Sequence, residues 1–347
     1  MKKIILTVLR TIGLSVLFMF TVHAQQSQPI TQHLFNRFLL NPAACGADGY
    51  TTIGTAVKNQ WAGFTGSPSN QTLYGQLRVS RNGIFGNYNH SGRAGYLPEN
   101  VGLGLALFND LRGPIRTTGT QFTYAYHLEN RTGQLSLGLT ASLFQYYIDR
   151  NKLTTAEYDQ YLNSLKLSKI IPDALFGVHY TTPDYYAGFS VSNMFQSFLA
   201  FGGRNGSKYK IERQYLLMGG YIIEADQAWS LVPSMQCRFT ERGSVQADIN
   251  LMAYYFDRFW FGLSGRTGNE LTDGGASLMF GMHYKDYYFG YAYDNTLSSI
   301  RNYSYGSHEL MVSFTFGKYE RFYRYSRRYE FQNFRQPGRR THKNYKE

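Results

Sequence analysis

Cysteine is scarce. Cys45 and Cys237, separated by most of the chain, provide neither a disulfide scaffold nor a Cys-x-x-Cys metal pair, and the eight histidines include no His-Glu-x-x-His spacing. No metal and no cofactor are therefore expected. Proline is sparse too, nine in 347 residues, and charged residues reach only 17%, against roughly 25% in soluble domains. Beyond residue 24 no apolar run approaches the roughly 20 residues that a helical span requires, so any crossing of a membrane must use strands. Against these shortages stand 35 glycines, 30 tyrosines and 25 phenylalanines, about a quarter of the chain. That is too aromatic for disorder and too rich in glycine for helices.

The net charge of +12 points to nucleic acid only until it is located. Residues 1–24 hold three bases and no acid, residues 318–347 hold ten bases against three acids, and the rest carries 22 bases against 20 acids. The body is nearly neutral. Lys2, Lys3 and Arg10, an apolar run over 12–22 and the small-residue end Val22-His23-Ala24 give residues 1–24 the form of a signal peptide. No Cys follows the expected cut, so export without lipid attachment is predicted. Export removes nucleic acid as a partner.

Period-2 alternation recurs near residues 50–58, 70–79, 100–109, 116–128, 133–147, 173–181, 184–192, 211–224, 227–239, 243–256, 258–266, 273–284, 286–294 and 306–316, which predicts fourteen strands. Leu103, Leu105 and Leu107 oppose Gly102, Gly104 and Ala106; Leu135, Leu137, Leu139 and Leu143 oppose Ser136, Gly138, Thr140 and Ser142. One face is apolar; the other is small or polar, uncharged, and not a packed hydrocarbon core. The pattern predicts an all-β transmembrane antiparallel β-barrel, with leucines towards lipid and the small face towards a lumen. Short links (129–132, 182–183, 225–226, 257, 285) alternate with long ones (148–172, 193–210, 267–272, 295–305), as outer-membrane barrels require, with both termini periplasmic. The stretch 80–99 is a misfit, too long for a periplasmic turn. Pro233 falls inside a strand, where a bulge is expected. The predicted organisation is signal peptide 1–24, an N-terminal periplasmic or plug segment 25–49, barrel 50–316 and a basic periplasmic tail 317–347. A soluble exported β-propeller or sandwich explains the strands but not the alternation of loops.

Six stretches, "NPAACG" (41–46), "KNQWAGFTGSPSN" (58–70), "NDLRGP" (109–114), "YAYHL" (124–128), "PDALFGVHYTTPDYYAGFSVSNM" (172–194) and "GSHELMVSFTF" (306–316), resemble the PorP/SprF family of Bacteroidota in content and order. The resemblance covers roughly residues 28–316. It implies an outer-membrane barrel of the type IX secretion system, with secretion components and an exported adhesin, including adhesins of gliding motility, as partners. Lys58 stands where the family usually has Arg, and Asn70 where Thr is common. The tail extends beyond the family's usual end.

Gln60, Trp61, Phe64 and Pro68 fall in the first surface loop, where an aromatic face could bind a partner, or Trp61 could sit in the interfacial belt or fold over the lumen. Asn41-Pro42-Ala43 resembles the plug of fatty-acid-type outer-membrane channels. Residues 28–46 are equally compatible with a hatch in the lumen and with a periplasmic turn stiffened by Asn41 and Pro42. Ser307, His308 and Glu309 do not form a triad, because strand neighbours point to opposite faces, so no enzyme activity is expected. His308 shares the face of Leu310 near the outer rim, suited to a partner or a headgroup. In the tail, Arg324, Arg327 and Arg328 alternate with aromatics. Two fates are open to it: docking on the inner leaflet, a periplasmic partner or peptidoglycan-linked material, and a solvated end. The runner-up to recruitment is a channel for small hydrophobic compounds.

Overall fold

The computed structural model describes residues 36–79, 100–130, 132–152, 168–200, 208–226, 228–241, 243–256, 258–267, 274–296 and 302–316. The expected signal segment, the tail with Arg324, Arg327 and Arg328, and the misfit stretch 80–99 lie outside them. Fourteen barrel strands follow one another: β1 (Thr51–Asn59), β2 (Ser69–Arg78), β3 (Val101–Arg112), β4 (Ile115–Glu129), β5 (Gln134–Ile148), β6 (Ser168–Thr181), β7 (Tyr185–Ser192), β8 (Gln214–Tyr221), β9 (Trp229–Thr240), β10 (Val245–Tyr255), β11 (Phe259–Arg266), β12 (Gly275–Tyr284), β13 (Tyr287–Thr296) and β14 (Ser307–Phe316). Each pairs antiparallel with its neighbours, and β1 pairs with β14 from Thr51↔Phe316 to Asn59↔His308, closing the ring. Closure leaves no strand edge, which is the condition for strands to lie in hydrocarbon. A short hairpin, Phe198–Ala200 with Lys208–Lys210, stands apart in the β7–β8 connection.

The outward face is as the alternation predicts. Leu103, Leu105, Leu107, Leu137, Leu139 and Leu143 are exposed, whereas Ser136, Thr140 and Ala106 are buried. At the rim where β1 begins, the near rim, exposed Tyr185, Tyr221, Trp229, Tyr255, Phe259 and Tyr287 form an aromatic girdle. The near rim has the tight turns, such as Asn130–Gly133, where the Asn130 side chain accepts from the Thr132 and Gly133 N–H groups at 2.9 and 2.7 Å. Most of the longer connections cross the opposite, far rim.

Three expectations need correction. The β3–β4 link is not a loop over 110–115: the ladder continues to Arg112↔Ile115, because Gly113 adopts φ +56° and allows a two-residue turn with Pro114. Pro233 makes no bulge. Its pairing with Leu251 is in register, and on the other side the same register runs from Gly220↔Ser234 to Ile223↔Leu231. The missing N–H opens a gap in the ladder and splits the end of β8 into Gln214–Tyr221 and Ile223–Glu224. The inward face is neither uncharged nor without a packed core: Lys58, Arg78, Arg238, Asp248, Arg266, Asp294 and Glu309 all point inward and are buried or nearly so. They are tolerated because lipid never meets them, and most are paired, Lys58 with Asp294 at 2.7 Å and with Glu309 at 3.6 Å, Arg266 with Asp248 at 2.7 Å.

The two faces therefore respond differently to charge. Leu139→Arg, on the lipid side of β5, is expected to cost about 2–4 kcal/mol at the bilayer midplane. Urea titration of refolding into lipid vesicles measures this, and a loss near zero would place Leu139 away from hydrocarbon.

Candidate functional site

Residues 36–50 run inside the barrel. Two short 3-10 turns, Arg37–Leu39 and Pro42–Ala44, shape the segment. Pro42 opens the second turn, where a missing N–H costs nothing, and Asn41 caps it by accepting from the Ala43 N–H at 3.0 Å. The Asn41 amide nitrogen donates to the carbonyls of Val178 on β6 and Phe189 on β7, at 3.0 and 3.3 Å. One side chain thus caps its own turn and pins it to two strands.

The wall is cut to receive the segment. A Cβ at Gly177 would lie 2.0 Å from Asn41 Oδ1, at Gly138 2.2 Å from the Ala43 nitrogen, and at Gly102 2.0 Å from the Cys45 carbonyl oxygen. None of these distances admits a methyl group, so the inward glycines of β3, β5 and β6 are niches. Hydrogen bonds complete the seat. Ser190 Oγ donates to the Leu40 carbonyl at 2.7 Å, and the Gly46 N–H donates to Gln76 Oε1 at 3.0 Å. His127 Nε2 lies 3.0 Å from the Cys45 carbonyl, which can only accept, so Nε2 carries the proton and Nδ1, 2.7 Å from Ser136 Oγ, is the acceptor. Arg78 ties Glu129 (3.0 Å), Gln134 (3.2 Å) and the Gly46 carbonyl (3.4 Å) together.

Burial pushes the Asp48 carboxyl up to about 6, against the opposing pull of its backbone hydrogen bonds and of Arg37 and Arg78. An acid so raised binds its proton more tightly when seated, so the seat is firmest in acid and weakens as pH rises from about 4 through about 6. Burial, with Asp48 second, likewise pushes the Cys45 thiol up and keeps it neutral.

On the other side of the lumen, side chains replace the plug. Trp260 and Tyr288 stack at 5.6 Å and 5°, packed with Met252, Met279, Met311 and Val232. Glycines again make the room: a Cβ at Gly281 would meet the Trp260 ring at 2.3 Å, and one at Gly262 the Met252 sulfur at 2.4 Å. Above the plug remains a vestibule of about 390 Å³ reaching the far rim, floored by Leu39 and Leu40 and walled by Phe108, Leu175, Leu216 and Arg238.

The far-rim residues named from sequence lie elsewhere, at the β1–β14 seam. Trp61 takes φ +54° and its N–H donates to Ser307 Oγ at 3.2 Å. The loop that carries it is stapled to the last loop by Ala62 N–H to Gly306 O and Tyr305 N–H to Ala62 O, both 2.8 Å, and closed on itself by Gln60 N–H to Pro68 O at 2.8 Å. Phe64, Tyr303 and Tyr305 are exposed, and the Tyr305 ring lies against Gly63. His308 faces outward, its Nδ1 2.6 Å from Tyr291 Oη, while Ser307 and Glu309 are buried inside. Asn41 and Pro42 sit instead against β5, β6 and β7. Arg78, His127, Gln134 and Arg238 were missed as site residues; the signal was in the inward glycines, whose alternation with leucine marks where another part of the chain presses on the wall.

The family model for type IX secretion system membrane protein PorP/SprF matches residues 22–314. No curated protein matches. Among solved structures, the toluene transporter TbuX of Ralstonia pickettii aligns with 11% identity over 81% of this chain and 93% of its own, TM-score 0.47. The CymD monoaromatic hydrocarbon channel gives 13%, 82%, 92% and 0.45, and the Acinetobacter baumannii outer membrane protein Omp33 gives 8%, 78%, 100% and 0.45.

Cys45 reports on the seat. In a Cys237→Ser background, maleimide labelling of Cys45 in the folded barrel is expected to be roughly a hundredfold slower than in urea, and Gly138→Val should speed it at least roughly tenfold by filling a niche. Labelling kinetics followed by mass spectrometry decide it; a folded barrel that labels as fast as the unfolded chain has no seated segment.

Proposed function

The chain belongs to the type IX secretion system membrane protein PorP/SprF family, and we propose that it works as a sealed docking barrel, holding an exported adhesin at the cell surface while its near rim and tail meet periplasmic machinery. The family places it in the outer membrane. The orientation with the far rim outside, both termini periplasmic, and the identity of the partners are parts of the proposal.

The seal carries this reading. A transporter needs a continuous path, and here the lumen holds residues 36–50, fixed by Asn41, His127 and Arg78, together with the buried Trp260 cluster. A docking barrel functions with its lumen closed. The far rim supplies the contact surface: Phe64, Tyr303 and Tyr305 are exposed on two loops cross-linked by backbone hydrogen bonds, so they are presented with little conformational freedom left to lose. Near the same seam, His308 with Tyr291 and Tyr293 forms an outward polar-aromatic cluster suited to the headgroup level.

A photo-crosslinking residue at Phe64 or Tyr305, activated on intact cells, is expected to trap an exported surface protein, identified by mass spectrometry. The purified barrel in a planar bilayer is expected to show no steady conductance. Solute-selective flux through the intact protein, with no surface adduct from cells, would replace docking by the channel alternative.

A further inference from the structure

On the β3–β6 side of the barrel the outward face changes character towards the far rim. On β3 it passes from Leu105 and Leu107 to Asn109, on β4 from Phe122 through Thr118 to Arg116, and on β5 from Leu143 through Gln145 to Tyr147. The changes fall in one row, because the ladder pairs Asn109 with Thr118 and Thr118 with Gln145. Side chains bond across the strands there: Thr118 Oγ1 donates to Asn109 Oδ1 at 3.0 Å, and Gln145 Nε2 donates to Ser168 Oγ at 2.8 Å. Polar groups that appear together on the lipid side of neighbouring strands mark where hydrocarbon gives way to headgroups.

Just past that row stand three exposed bases, Arg116, Arg150 and Lys152. Arg116 pairs in register with Tyr147, and the short turn Arg150–Lys152 follows at once on β5, its start tied to the β3–β4 turn by the Asp149 N–H, which donates to the Pro114 carbonyl at 2.8 Å. Asp149 is the acid beside them, while Asp110 points inward and is held by Arg112. Neither Arg116 nor Lys152 forms an ion pair with a described residue. Across the far rim positive charge is engaged instead, Lys210 and Arg213 sharing Glu241 at 3.9 and 3.2 Å. Arg116 also faces away from the barrel axis, beyond the leucines of the same wall, so what it meets is the headgroup layer and not a protein resting on the loop tips. Phosphate is the anion of that layer, and it suits both the guanidinium fork and the lysine point charge. We propose that this sector binds a phosphorylated glycolipid of the outer leaflet, its phosphate held by Arg116, Arg150 and Lys152 and its acyl chains laid on Leu107, Phe122 and Leu143. The inference rests on one part of the docking reading, that the far rim lies outside. A lipid gripped on one side of the wall fixes the depth at which the rim loops are presented.

The full-length barrel in detergent, its fold checked by heat-modifiable gel mobility, is titrated with lipid A, with the same lipid stripped of its phosphates, and with phosphatidylglycerol, and bound lipid is counted by native mass spectrometry. Lipid A is expected to bind at least roughly tenfold tighter than its stripped form, with roughly fivefold lost in Arg116→Gln and the preference gone when Arg150→Gln and Lys152→Gln are added. Arg116→Lys, which keeps the charge, is expected to retain most of the preference, and Lys210→Gln, across the rim, all of it. Equal binding of the two forms of lipid A overturns the proposal, as does a folded triple variant that still discriminates. Tighter binding of phosphatidylglycerol than of lipid A overturns the assignment to a glycolipid. A photo-crosslinking residue at Tyr147 that traps a protein and no lipid on intact cells makes the patch a protein contact and overturns it too. Orientation is read separately, in a Cys237→Ser background, by labelling Lys152→Cys on intact cells with a membrane-impermeant maleimide. Absence of label removes the outward far rim and with it the docking role, whereas label without lipid discrimination removes only this inference.

Discussion

A medium without water leaves no backbone group to be satisfied by solvent, and that constraint organises this molecule twice. It first forces the sheet to close: the β1–β14 ladder from Thr51↔Phe316 to Asn59↔His308 is what allows Leu103, Leu137 and Leu310 to face hydrocarbon. It then applies inside, because fourteen strands enclose more space than inward side chains of ordinary size fill. A segment placed there must find partners for its own N–H and C=O groups. The plug does so through Asn41, Gln76, Arg78, His127 and Ser190, each reaching a main-chain atom of the plug or, for Asn41, of the wall.

Glycine makes the second solution possible. A strand carbonyl can be reached by a lumenal side chain only if the wall presents no Cβ, and Gly177 and Gly138 lie where Asn41 and Ala43 press closest. The opposite wall uses the same device for a different filling, Gly281 beneath Trp260 and Gly262 beneath Met252. The lumen is thus asymmetric, filled by main chain on one side and by aromatic and methionine side chains on the other. The vestibule is what remains above the plug, and its floor is made of plug residues.

These considerations also separate what was legible in the sequence from what was not. The ring was legible because its rule is local: Leu135, Leu137 and Leu139 alternating with Ser136 and Gly138 specify two faces without reference to any other strand. Strand ends were less so, since whether Asp110–Arg112 continues β3 depends on Gly113 accepting φ +56°, a choice made by the turn. Pro233 was recognised as a breaker, but whether it shifts register or leaves a gap is decided by β8 and β10, not by its neighbours in sequence. The placement of Asn41 and Pro42 depends on contacts at longer range still. Asn41-Pro42-Ala43 has identical local chemistry in a turn and in a hatch, and the partners of the Asn41 amide, Val178 and Phe189, are 137 and 148 residues away. Buried charge is not legible from alternation, because the partners that make Lys58 tolerable inside, Asp294 and Glu309, lie on other strands.

Sealing and docking support one another physically. A barrel of this girth kept open would leak solutes wherever it was abundant, so a protein whose work is done at its rim gains from a filled lumen. Filling also stiffens the platform: main chain that bridges β6 and β7 through Asn41, and side chains that connect β10, β11 and β13 through Met252, Trp260 and Tyr288, brace the wall from within. A braced wall fixes the spacing of its loops, and the stapled loops carrying Phe64 and Tyr305 then have a defined separation to offer a partner. Leu39 and Leu40 of the same segment also floor the vestibule. One segment therefore bears on the wall and on the vestibule alike, so a change at its seat reaches both.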